Sequence, residues 1–292
     1  EQKETLLPRI ATGRDLAAYC QTETDTGSDV SAIKTGGKID WNAKTVTFSG
    51  TKQFITNGSI ARQLMVLIRT GEDKYAGLTW VLVDAEKAKG DGTLIIEKDF
   101  DKHCLHCSPT TTLVFQNCVV STADILGKEG MGWPIAMATL TMSRASVIVA
   151  QAVGLAQSAL DEAVKYVMER KQFGRPLASF QRVQGQLARM DMAIDAARLL
   201  GYRSAWLADE LGPARSIEFA AEASKAKLYA SEIVEEAAMV AEELHGGMGV
   251  MTEFRIGSIR NNARVIKIYE GTSAIQEYII ARQLLAKHGF KI

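Results

Sequence analysis

The chain has no excess charge of either sign: 34 Lys and Arg stand against 34 Asp and Glu, a formal net charge of zero. No global field therefore favours nucleic acid, a membrane surface or an acidic partner, and any anion has to be held locally. Cysteine is scarce, with four in 292 residues. That is too few for a disulfide scaffold and points to reduced thiols, in a cytoplasm or a mitochondrial matrix. Long apolar runs are missing as well. Nothing approaches the ~20 residues a bilayer requires, and even Ala145 to Ala156 is broken by Ser146 and Gln151. The opening EQKETLLPRI lacks the charged head and apolar stretch of a signal peptide. There is no Gly-x-Ser-x-Gly elbow, no Walker A loop and no dinucleotide glycine fingerprint, so serine hydrolysis and nucleotide binding of those kinds find no support.

What is present suffices for a sizeable core, with 47% apolar residues and 23% charged, and for about two domains. Residues 1–16 read as the end of a helical region. Over 17–128, KTVTFSG and TKQFIT alternate, and QLMVLIRT, LTWVLVDA, TLIIEKDF and TTTLVFQNCVV follow between Gly, Asp and Lys turns. These predict a mostly antiparallel β domain, a barrel or sandwich with one wet face. From 129 to 292, apolar residues recur at three- and four-residue spacing in Ala-, Leu- and Glu-rich segments. Helices are expected at about 131–170, 178–210, 214–245 and 272–288. They break at Gly174-Arg175-Pro176, Gly212-Pro213 and Gly246-Gly247-Met248-Gly249. The fold class is thus α+β, an antiparallel β domain followed by a four-helix bundle.

Several segments carry chemical content. YCQTETDTGSD (19–29) brings hydroxyls and carboxylates together around Gly27, as a loop facing a polar ring edge would, or as a solvated turn would. YVMERKQFGRP (166–176) clusters Arg170, Lys171 and Arg175, suited to phosphate or to a helix C-terminus. HGGMG (245–249) has more glycine than a helix cap needs, which favours close approach to a ligand. IYEGTS (268–273) sets Glu270 beside apolar neighbours that could desolvate it into a better base, although a lone glutamate is usually a surface residue, with Thr272 or Ser273 as the cap of the next helix. His103, Cys104, His106 and Cys107 invite a zinc reading. Adjacent residues point apart, and the other ligand types are isolated, so buried thiols and incidental histidines are the better account and no metal is expected.

Taken in order, YCQTETDTGSD, QFITNG (53–58), ERKQFGRPLASFQ (169–181), HGGMG and IYEGTSAIQ (268–276) closely resemble the acyl-CoA dehydrogenase family across essentially the whole chain. The resemblance implies FAD, an acyl-CoA substrate, electron-transferring flavoprotein as acceptor, and a homodimer or homotetramer. Tyr19, Gln21, Thr22, Gly27 and Ser28 match the stretch lining the flavin, Ser28 also facing CoA. Phe54, Ile55 and Thr56 match the tripeptide behind the flavin ring. Arg170, Gln181, Glu243, Gly246 and Gly247 match FAD contacts made from a neighbouring subunit, and Thr272 a contact near the diphosphate. Arg144, Thr141 and Gly271 fall on the substrate side, and Glu270 matches the catalytic base. Some relatives place the base directly before the arginine matching Arg144, where this chain has Ser143. The implied reaction removes a proton from carbon 2 of a short or medium acyl thioester and passes hydride from carbon 3 to the flavin, giving a 2-enoyl-CoA.

The chain departs from the family pattern at Phe54, usually tryptophan, at Glu243, usually glutamine, and at Asn261-Asn262, usually Arg-Asp. Thr141 replaces an aspartate, and Cys104 and His106 replace a glycine and an arginine. The family's N-terminal helical domain has no counterpart, and the expectation is an incomplete copy, a separate subunit supplying those helices, or a degenerate partner. An acyl-CoA oxidase, an enoyl-CoA reductase and a noncatalytic FAD-holding subunit are the alternatives.

Overall fold

The structure, a computed structural model, describes residues 2–290. The chain forms two compact units, one up to Ala136 and one from Met137 onward.

The first unit opens with helix α1 (Gln2–Ala11) and is built on a single sheet. Its strands are β1 (Ala17–Cys20), β2 (Gly36–Asp40), β3 (Thr45–Thr56), β4 (Gln63–Arg69), β5 (Leu78–Asp84), β6 (Leu94–Ile96), β7 (Thr110–Ser121) and β8 (Ile125–Leu126). A short helix, α2 (Ala85–Gly90), follows β5 and is capped by the Asp84 carboxylate. The strand order is β6-β7-β3-β2-β4-β5-β8, with β1 pairing β4. The sheet is mixed rather than antiparallel throughout. β1 runs parallel to β4 because the β2–β3 hairpin intervenes as a crossover, and one parallel bridge joins Gly36 to Arg69. β4 and β5 are buried along most of their length, which explains their nearly unbroken apolar sequences. Phe48 and Phe115 meet at 5.1 Å in the core, and the buried Trp80 indole donates to the Gly132 carbonyl at 2.9 Å.

Two irregularities in β3 matter for the site. Its register against β7 shifts between Phe48 and Gly50 and again between Lys52 and Ile55. The second shift lets Phe54 adopt a left-handed φ of 57° and leaves its ring exposed. Lys52, on the same strand, is fully buried and binds the Glu23 carboxylate at 2.8 Å.

α3 (Gly132–Ser143), which begins before the boundary at Ala136, a π turn over Arg144–Ile148 and α4 (Val149–Glu169) continue as one helix. By length and composition this helix could cross a membrane, although no unbroken apolar run marks it in the sequence. Its Ala152, Ala156, Ala159 and Ala163 are instead built into the helical core. A hairpin, β9 (Lys171–Gln172) and β10 (Arg175–Pro176), turns the chain through Phe173 and Gly174, both with positive φ. Next come α5 (Gln181–Leu211), α6 (Ser216–His245), α7 (Arg255–Ile266) and α8 (Ser273–Lys287). α6 is the central element, and its Ala226, Ala230, Ala237 and Ala241 allow its neighbours close approach. The apolar spacing of the sequence does not predict α7. The helix buries Ile256, Ile259, Ala263 and Ile266, a helical stripe carried by otherwise polar residues.

Candidate active site

The turn between α7 and α8 carries Glu270 in a left-handed conformation, φ 57°, followed by Gly271 at φ 91°. A non-glycine residue there costs about 1–2 kcal/mol, so surrounding bonds must hold it. Arg144 Nε donates to the Glu270 carbonyl at 2.5 Å. Gln276 Nε2 donates to the Gly271 carbonyl at 2.9 Å, and Lys227 Nζ reaches the same oxygen at 2.8 Å. Tyr269 donates its hydroxyl proton to Gln151. A Cβ at Gly271 would lie 2.6 Å from Gln276 Nε2 and 2.8 Å from Arg144 Nη2, so a side chain there would displace both donors.

The Glu270 carboxyl turns inward, and its Oε2 is buried without a hydrogen-bond partner. Burial raises its pKa, against the opposing pull of Arg144, a hydrogen bond from Ser143, and Lys227. Ser143, the alternative base position, therefore lies against the same carboxylate. Ser273 Oγ and Gln276 Oε1 are likewise buried and unpartnered. A desolvated carboxylate with a free oxygen, ringed by two cations, can accept a proton from a weakly acidic carbon.

The other sequence-predicted residues sort as follows. Arg144 and Thr141 are buried, and Thr272 caps α8 without a side-chain bond. Arg170, Gln181, Glu243, Gly246 and Gly247 are exposed on their unit. Arg175 stacks on Phe180 at 4.1 Å, which occupies its guanidinium face. In HGGMG, Gly246 is needed for its φ of 59°, and Gly249 because a Cβ would meet the Glu242 carbonyl at 2.4 Å. Gly247 meets no such constraint. His245 binds the Ala241 carbonyl and stacks on Tyr166, a packing role. Among the described residues no cluster of His, Cys, Asp or Glu could hold a metal.

In the first unit, Tyr19 donates to Gln21 Oε1 at 2.8 Å, and Gln53 N donates to the Thr22 carbonyl at 2.9 Å. The second bond lays the 19–28 loop beside the Phe54-Ile55-Thr56 segment. Phe54 and Thr56 are exposed there and Ile55 is buried. Gly27 and Ser28 are exposed, and the Thr26 hydroxyl is buried without a partner. A flat aromatic face beside hydroxyls and an unsatisfied donor fits an aromatic ring with a polar edge.

The middle-domain model of the acyl-CoA dehydrogenases matches residues 18–118, and the C-terminal-domain model matches residues 130–285. The chain belongs to the acyl-CoA dehydrogenase family. Acryloyl-CoA reductase (NADH) of Anaerotignum propionicum is 38% identical over 98% of the chain and 71% of its own length. The short-chain-specific acyl-CoA dehydrogenase of Clostridium acetobutylicum is 34% identical over 97% of the chain and 72% of its own length. The structure of butyryl-CoA dehydrogenase from Megasphaera elsdenii superposes with a TM-score of 0.91 at 35% identity, again over 97% and 72%. Family membership makes the chain an oxidoreductase of the flavoprotein type.

Lys227, Gln276 and the Lys52–Glu23 pair were not among the site residues read from sequence. The available signal was a cation at position 227 on the stripe Ala223, Ala226, Ala230, Val234, where a helix facing the core should be apolar.

Proposed function

We propose that this acyl-CoA dehydrogenase oxidises a short or medium acyl-CoA to its 2-enoyl-CoA, with Glu270 as the base that takes the carbon 2 proton. The observation that carries the assignment is the buried, unpartnered Oε2 of Glu270 in a left-handed turn. Backbone strain at a carboxylate persists only where the surroundings fix it, and four side chains do so here, counting Tyr269. Desolvation makes the carboxylate a stronger proton acceptor, while Arg144 and Lys227 keep it ionised enough to act. The cofactor is FAD, held by the Tyr19–Ser28 loop and the Phe54–Thr56 segment, with Arg170, Gln181, Glu243, Gly246, Gly247 and Thr272 as the helical unit's candidates. When bound it supplies the hydride acceptor. Ser28, Thr141, Arg144 and Gly271 are the candidates on the substrate side, and electron-transferring flavoprotein is the proposed acceptor.

Anaerobic addition of butyryl-CoA to the FAD-loaded chain should bleach the flavin band. Glu270→Gln should slow bleaching by at least about 10²-fold with the flavin still bound. A variant that reduces flavin at the original rate removes Glu270 from the role.

The reverse reaction has specific support in the relative named acryloyl-CoA reductase (NADH). A raised pKa also serves a proton donor, so Glu270 could protonate carbon 2 in that direction. Turnover of acryloyl-CoA faster than of propionyl-CoA under matched conditions would favour the reductase.

A further inference from the structure

We propose that Lys227, in the middle of α6, is a positioning residue for Glu270: its ammonium fastens both ends of the turn carrying that carboxylate and supplies a fixed positive charge beside it. The proposal rests on Glu270 being the catalytic base.

Lysine is almost never fully buried unless paired, and Lys227 is 0% exposed. Its ammonium donates to the Gly271 carbonyl at 2.8 Å and the Lys267 carbonyl at 3.5 Å. Those oxygens lie at the two ends of the 267–271 segment. Lys267 closes α7, where backbone carbonyls lack helical partners and a cation is favoured. Gly271 immediately precedes the cap of α8. One ammonium on a third helix thus ties α7 to the start of α8 across the residue of interest. A neutral side chain of that length offers no three-donor head.

Charge bears out the same role. Among the described acidic side chains only Glu270 stabilises the Lys227 ammonium, whereas burial, Arg144 and Lys267 oppose it and bring its pKa down to about 8. Seen from Glu270, the facing groups are Arg144 on the π turn, Ser143 at the end of α3 and Lys227 on α6. α8 contributes the neutral amide of Gln276. Arg144 binds the Glu270 carbonyl from one side, and Lys227 holds the following carbonyl from another. Arginine and lysine therefore divide the turn between them.

The test uses Lys227→Met, which removes charge and hydrogen bonds, and Lys227→Gln, which keeps a donor and removes the charge. The Glu270 carboxyl is titrated by infrared difference spectroscopy, with Glu270→Gln identifying its band. Both variants should move its midpoint upward by at least about one pH unit. The acidic limb of anaerobic flavin reduction should move with it, and Lys227→Met should lose more rate at saturating substrate than Lys227→Gln. An unchanged midpoint in a variant with native circular dichroism overturns the proposal. If Lys227→Met does not fold, Lys227→Gln carries the same criterion. Failure of the base assignment looks different: Glu270→Gln would reduce flavin normally while the infrared titration still reports whether Lys227 governs the carboxyl.

Discussion

Glu270 and Gly271 show how a few backbone dihedrals can fix a reactive group. Two consecutive left-handed residues point the carboxylate inward, and three donors, Arg144, Gln276 and Lys227, saturate the carbonyls so exposed. Glycine is favoured at 271 by both its φ of 91° and the 2.6 Å approach of Gln276. Gly271→Ala should therefore lower stability by about 1–3 kcal/mol and slow flavin reduction by more than about tenfold. Thermal melting and anaerobic bleaching would check this, and unchanged values in both would show that the turn yields without consequence. In the sequence Glu270 stands out through the resemblance of IYEGTSAIQ to the family, since a lone glutamate is usually a surface residue and its neighbour Ile268 is exposed in the fold. Lys227 was not legible, since it lies 43 positions before Glu270 (270 − 227) and only tertiary packing brings them together.

At the scale of elements, β3 and the loop after β1 act as one piece. The buried Lys52 ammonium binds both the Gln21 carbonyl and the Glu23 carboxylate, which also accepts from the backbone N–H groups of Lys34 and Thr35. Removing one partner of such a pair leaves an uncompensated buried charge, at a cost of about 3–5 kcal/mol. Glu23→Gln should show that loss in denaturant unfolding and should weaken FAD binding, because the loop from Tyr19 to Ser28 loses its anchor. Retained FAD affinity at reduced stability would separate the pair from the cofactor. β3 is readable from its alternation, β4, β5 and β7 from short apolar runs between turn residues, and the long helices from their spacing and glycine breaks, whereas β2 (GGKID) leaves no such mark. The parallel pairing of β1 with β4 is not readable, because register between distant strands leaves no local mark. α7 escaped because its four buried apolar positions are diluted by Arg and Asn.

For the molecule as a whole, its buried ionisable groups give stability a definite pH dependence. Lys52 and Lys227 titrate near 8 when folded against 10.5 when unfolded. Between those values the unfolded chain binds more protons, so stability rises with pH across that window. Glu270, whose pKa is raised, works oppositely from 4.5 upward: its contribution is present below that value and is lost as pH rises through the folded pKa. Glu23, whose pKa is lowered, contributes above 4.5, and that contribution is lost in acid. The melting temperature should accordingly climb from about pH 7 to about pH 10, before surface pairs such as Lys34–Asp25 begin to fail. A melting temperature that stays flat over that range would mean that both ammonium groups titrate as in water. Zero net charge leaves little global repulsion to mask the effect.

The π turn at Arg144–Ile148 has a consequence for the gene. One residue more than an α-helical turn rephases everything upstream of it by roughly 100° relative to the alanine ridge at 152–163. Loss of a single codon there would leave the ridge itself in phase while turning the buried Ala136 and Thr141 of α3 out of their places. It would also swing the Arg144 guanidinium off the Glu270 carbonyl, unhooking the trigger at a cost in packing.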